Sequence, residues 1–143
     1  MIPDFNTDGN LPAGIHEATL KEFKERFAYT TWRLHLFDKL LRLIEDLKAI
    51  KCKTVYIDGS YVTTKEVPGD YDACWENIGV DEAVLNTNPA LMMRRRDLQE
   101  DWYGADVFPA RVEEAASGLL FLDFFQIDKT TGKAKGIVKI EIG

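Results

Sequence analysis

The sequence predicts an α+β domain in which helices come first and a mixed sheet of about five strands follows. Helical signals fill residues 16–50, and short β-branched and aromatic runs punctuated by glycine, proline and asparagine recur from residue 53 onward. A chain of 143 residues is long enough for one core and short for two. The expectation is therefore a single domain, with an arm over 1–15, a helical segment over 16–50 and a sheet region over 51–143.

Pro3, Gly9, Pro12 and Gly14 leave residues 1–15 without periodicity, which reads as an extended arm laid over the domain or as a partly disordered end. Thr19-Leu20-Lys21-Glu22 fits a capping box, and Leu20, Phe23 and Phe27 follow at helical spacing. From Thr31 a longer helix carries Phe37, Leu40, Leu41, Ile44 and Leu47 on one stripe, with His35 off it. Residues 53–58 read as a strand stopped by Gly59, and residues 70–77 as a second strand. Residues 80–85 suggest one or two helical turns. Asn88-Pro89 then reads as a cap with proline at the first helical position, opening a helix that runs to Gly104. Residues 105–108 predict a third strand, 112–117 a short helix, 119–127 (LLFLDFFQI) a fourth strand, and 136–142 (GIVKIEI) a fifth after a turn at Thr131-Gly132.

Composition narrows the functions. No apolar run reaches the roughly 20 residues that cross a bilayer, and MIPDFNTDGNLPAGIHE has no basic segment leading into an apolar one, so the expected compartment is the cytoplasm. Cys52 and Cys74, with His16 and His35, do not form a zinc spacing and read as free, buried thiols. A net charge of −6 and a pI near 4.9 argue against broad, sequence-blind binding to DNA, which depends on Lys and Arg neutralising phosphates.

The stretch GSYVTTKEVPGDYD holds the chemistry. Side chains alternate across a strand, so Asp70 and Asp72 share a face while Tyr71 takes the other. Two neighbouring carboxylates repel unless a cation neutralises them, and a hard divalent ion such as Mg²⁺ does so for oxygen ligands. The same spacing also suits two solvated aspartates beside a Pro-Gly turn. Gly59 and Ser60, at the end of the preceding strand, combine close backbone approach with a hydroxyl donor, a pattern that suits phosphate oxygens and also serves tight turns on conformational grounds alone. Lys65, in the loop between the two motifs, has the reach to meet a phosphate, as does Lys135 from the last turn. Arg94, Arg95 and Arg96 cover much of a helix circumference and read first as a solvated face, then as phosphate or acceptor contacts through Arg94 or Arg95. Glu76 reads as a surface acid, and Tyr71, Trp75, Phe121, Phe124 and Phe125 as core.

The segment IDGSYVTTKEVPGDYDAC resembles the polymerase-β-like nucleotidyltransferase superfamily, particularly its minimal members: a hydrophobic strand, Gly-Ser, a short loop, then Asp-x-Asp in a second strand. The resemblance is clear over 53–76 and extends to 108, and LPAGIHEATLKEF and FFQIDKTTGKAKGIVKI are similar to segments of small members of that group. It implies a nucleotidyltransferase fold and Mg²⁺ or Mn²⁺ held between carboxylates and a nucleoside triphosphate. It also implies a hydroxyl acceptor on a protein or RNA that attacks the α-phosphorus. By position, Gly59, Ser60 and Lys65 would contact the nucleotide, and Asp70 and Asp72 would bind metal. Asp106, in GADVFPA, takes the place of the superfamily's third carboxylate, with Asp123 in LFLDFFQ as the rival. The resemblance further implies an ATP-type substrate and a toxin–antitoxin or defence context with a cognate protein partner. Fold alone does not establish activity, so an inactive nucleotidyltransferase-fold protein serving as a binding or regulatory partner is the alternative expectation.

Overall fold

The computed structural model describes residues 1–92 and 95–143; Arg94 lies outside them. The architecture is α+β with a mixed sheet, as the sequence predicts. The strands are β1 (Gly14–Glu17), β2 (Thr54–Asp58), β3 (Tyr71–Trp75), β4 (Ala105–Pro109) and β5 (Gly136–Glu141), in the spatial order β1-β5-β2-β3-β4. β2 runs antiparallel to both β5 and β3, while β1 with β5 and β3 with β4 are parallel.

Two helices precede β2. In α1 (Leu20–Phe27) the predicted capping box forms: Thr19 accepts from the Glu22 amide while the Glu22 side chain accepts from the Thr19 amide. In α2 (Thr31–Ala49) Thr30 is the cap, and the buried stripe runs through Leu36, Phe37, Leu40, Leu43, Ile44 and Leu47. Leu43 thus takes the core position expected for Leu41, which is half-buried. These helices cover one face of the sheet, where Val55, Ile57, Tyr71, Ala73, Trp75, Ala105, Val107, Val138 and Ile140 form the main core. That confirms Tyr71 and Trp75 as core residues.

Three predicted elements are corrected. Residues 119–127 are not a strand: Phe121–Phe124 is a short helix, here α5, after α3 (Glu82–Leu85) and α4 (Arg96–Tyr103). A continuous apolar run does not distinguish strand from helix, and the i, i+1, i+4 set Phe121, Leu122 and Phe125 packs on the second face of the sheet against Tyr56, Cys74 and Ile137. The fifth strand is instead β1, inside the expected arm and helical segments. Proline and glycine hid it, and only its parallel pairing with β5 defines it. Residues 112–117 form a turn, with Gly118 donating to the Glu114 carbonyl, rather than a helix.

The helix predicted from Asn88 to Gly104 is split. Asn88 does accept from the Ala90 amide, but the 3₁₀ turn Pro89–Leu91 ends as Ala90 and Leu91 turn into the core, and α4 begins only at Arg96. Gly104 closes α4 with φ 65°, a left-handed cap that glycine adopts without strain. From α4 the fully buried Gln99 amide accepts from Val107 N–H and donates to the Val107 carbonyl, each at 3.0 Å. The outer edge of β4 is thereby satisfied by a side chain instead of another strand. Among the described residues, no helix is long and apolar enough to cross a membrane.

Candidate active site

Adjacent strands bring aspartates into one row. Asp58 ends β2 and pairs with Asp72 of β3, and Asp72 pairs with Asp106 of β4. Directly paired residues share a face. Tyr56, Cys74 and Phe108 have the same parity and pack with α5, so the row lies at the end of the sheet face that α5 covers. Asp70, two residues before Asp72, belongs to that face by alternation. Asp106 therefore stands beside the Asp-x-Asp pair, while Asp123 is exposed on α5, away from the strand that the sequence suggested for it.

The Gly-Ser turn is built against this row. Gly59 has φ 88°, and a Cβ there would stand 3.0 Å from Asp72 Oδ2 and 3.1 Å from the Asp72 amide nitrogen. Both the backbone conformation and the space demand glycine. Residues 60–62 then make a 3₁₀ turn, and Arg33 of α2 holds the following loop from beneath. Arg33 is fully buried and donates to the Phe27 carbonyl at 3.1 Å, to Tyr61 at 2.7 Å and to Thr63 at 3.2 Å, with a further bond to the Lys65 carbonyl. Four carbonyls on the two terminal guanidinium nitrogens, with the Tyr29 and Tyr61 rings against its face, fix this segment on the helical layer, and Nε is left without a hydrogen bond.

A cleft of about 310 Å³ opens beside the turn, lined among others by Asp58, Gly59, Ser60, Asp72, Lys129 and Lys135. The predicted Gly59, Ser60 and Asp72 thus meet in one cavity, whereas Asp70 and Asp106 are not among its lining residues. Lys65 is exposed outside it and contributes its charge to Asp70. Arg95 pairs with Asp97 at 3.4 Å on the surface, and Arg96 with Asp106 at 3.2 Å. Glu76 follows the opposite end of β3, outside the row, and pairs with Arg111 at 3.0 Å.

Sequence reasoning missed Asp58 and Glu100. Asp58 is 4% exposed, and its Oδ1 lies 2.9 Å from Lys135 Nζ. In that ion pair Lys135 is the charge partner of a carboxylate otherwise buried at the strand end. Glu100 of α4 is near enough to Asp70 for the Asp70 charge to raise its carboxyl. The signal for Asp58 was the acid directly before Gly59; nothing local marked Glu100.

This donor chemistry, hard carboxylate oxygens of adjacent strands crowded at one sheet end and one of them buried, fits a divalent cation. Among the described residues, no three acidic, histidine or cysteine side chains are gathered into a preformed cation site. Lys135 and Arg96 engage Asp58 and Asp106 instead.

A family model matches residues 3–141. The chain belongs to the family of unknown function DUF6932. No curated protein and no solved structure matches it.

The electrostatics of this DUF6932 site follow from its crowding. Burial, then the charges of Asp58, Asp70 and Asp106, push the Asp72 carboxyl up to about 7. Burial and then Asp106 raise Asp70, and burial and then Asp70 raise Glu100. Asp58 is also raised by burial, which outweighs Lys135 and the Gly59 amide. An acid with a raised folded pKa holds more protons folded than unfolded between the two values. Its contribution to stability is complete below the ordinary carboxylate range of about 4 and is lost as pH rises through about 7. In EDTA the melting temperature is therefore expected to fall from pH 5 to pH 8 more steeply in the wild type than in Asp72→Asn, by on the order of 5 °C. Parallel pH profiles would contradict the crowding argument.

Proposed function

We propose that this protein is a metal-dependent nucleotidyltransferase, moving a nucleoside monophosphate from a nucleoside triphosphate to a hydroxyl acceptor on a protein or RNA. The observation that carries the reading is the juxtaposition of the Asp58–Asp72–Asp106 row with the Gly59-Ser60 turn at a cleft bearing Lys129 and Lys135. A polyanion and the cations that accompany it need opposite chemistry side by side, and this end of the sheet supplies both.

Asp70, Asp72 and Asp106 would hold Mg²⁺ or Mn²⁺. When bound, the cation supplies charge neutralisation to the reacting phosphate. Gly59 lets the phosphate chain approach the backbone, Ser60 offers a hydroxyl, and Lys129 and Lys135 offset phosphate charge. Phe124 and Phe125 wall the cleft and limit water around the reacting phosphate. The acceptor hydroxyl gives its proton to a site carboxylate or to water as its oxygen bonds to the α-phosphorus, the bond to the bridging oxygen breaks, and pyrophosphate leaves. The charge of −6 favours a protein hydroxyl over RNA as acceptor. A cognate toxin or antitoxin protein, in a cytoplasmic module, fits such an acceptor.

A second reading, an inactive fold acting as a regulatory partner, draws on the ion pairs that Lys135 and Arg96 make with Asp58 and Asp106. Thermal melts separate the two. A triphosphate with Mg²⁺ is expected to raise the melting temperature, while either alone raises it little. No rise with the pair favours the regulatory reading.

A further inference from the structure

We propose that Lys135 is an exchangeable counter-ion, which releases the buried Asp58 carboxylate to an incoming divalent cation and moves its ammonium to the phosphate chain. The inference rests on the nucleotidyltransferase reading and adds Asp58 and Lys135 to the positioning machinery.

The geometry is that of a clamp with one fixed and one movable jaw. Asp58 is fixed as the last residue of β2, and its side chain is 5% exposed. Lys135 is anchored by its backbone, whose amide donates to the Gln126 carbonyl at 2.8 Å. Its side chain, 17% exposed, enters the cleft on a flexible four-carbon stem. The register that pairs Ile57 with Val138 carries Lys135 to the strand end occupied by Gly59 and Ser60. The ammonium is thus held over Asp58 in the same cleft as the Gly-Ser turn, by a 2.9 Å ion pair on a side chain free to swing toward the cleft mouth.

Charge balance makes the exchange concerted. With neither ligand, Asp58 and Lys135 neutralise each other. A phosphate chain arriving alone and drawing Lys135 away would leave a buried carboxylate unpaired, which is costly. A cation arriving alone would leave the displaced ammonium beside it. When both arrive, Asp58 meets the cation and Lys135 meets the phosphate, so neither partner is left unpaired and each ligand strengthens the binding of the other.

Calorimetry on single ligands tests this without interference from complexes of metal and phosphate in solution. Lys135→Met is expected to bind Mn²⁺ alone roughly 10-fold tighter than the wild type, because its competitor for Asp58 is gone. Asp58→Asn is expected to bind tripolyphosphate in EDTA roughly 10-fold tighter, because Lys135 is free. That gain must vanish in the double variant Asp58→Asn/Lys135→Met, since a gain from merely losing a negative charge would persist. Mn²⁺ binding that is no tighter in Lys135→Met, or a gain that survives in the double variant, overturns the exchange and leaves the cation site standing. Absence of Mn²⁺ binding in every protein overturns the exchange and the nucleotidyltransferase reading together.

Discussion

Asp70→Asn and Asp72→Asn are each expected to lower nucleotidyl transfer by about 1,000-fold or more while leaving the protein folded. Each substitution removes an anionic oxygen from the site. Asp72→Asn removes the buried carboxyl that burial, and then its neighbours' charges, push up to about 7, and Asp70→Asn removes one of those charges, so the metal-free melting temperature at pH 8 should be unchanged or higher. Loss of activity with gained stability separates a functional carboxylate from a structural one. Asp106→Asn is expected to behave similarly, because Asp106 pairs directly with Asp72, although it also frees Arg96. Asp123→Asn, on the exposed side of a short helix, should have little effect on rate. Steady-state rates and melts of the four variants decide it; wild-type turnover in Asp72→Asn sinks the assignment.

Gly59→Val is expected to abolish triphosphate binding and to destabilise the fold by about 3 kcal/mol or more. The φ of 88° is strained for any residue with a Cβ, and more so for a branched one. The added atom would also collide with both the carboxylate and the amide of Asp72, deforming the Asp58–Asp72 pairing from which the site is built. Ser60→Ala removes one hydroxyl and should weaken binding only about 3- to 10-fold. Titration with a non-hydrolysable triphosphate, paired with denaturant unfolding, reads both effects. Comparable affinity in Gly59→Val and the wild type would rule out close backbone approach.

What the sequence made legible was local. The capping box at Thr19, the strand ending at Gly59 and the shared face of Asp70 and Asp72 are written in adjacent residues, and the structure realises the cap and the strand directly. What it hid depends on register between distant segments. Asp58 looked like a strand terminus until pairing set it opposite Asp72, and Lys135 looked like a turn lysine until β5 was placed beside β2. Arg33 carries a charge that suits a helix surface, yet carbonyls of Phe27, Tyr61, Thr63 and Lys65 on its terminal nitrogens let it lie in the core. LLFLDFFQI was ambiguous in principle: its apolar positions suit a buried strand and a two-sided helical turn equally, and packing against Tyr56, Cys74 and Ile137 decides for the helix.

The most direct test of the central claim is isotope transfer with Mg²⁺, comparing triphosphates labelled at the α- and at the γ-phosphorus in a lysate of cells lacking the protein. Nucleotidyl transfer predicts that a macromolecule gains the α-label and not the γ-label when wild type is added, and gains neither with Asp72→Asn. Transfer of the γ-label, or α-label transfer undiminished in Asp72→Asn, would contradict it.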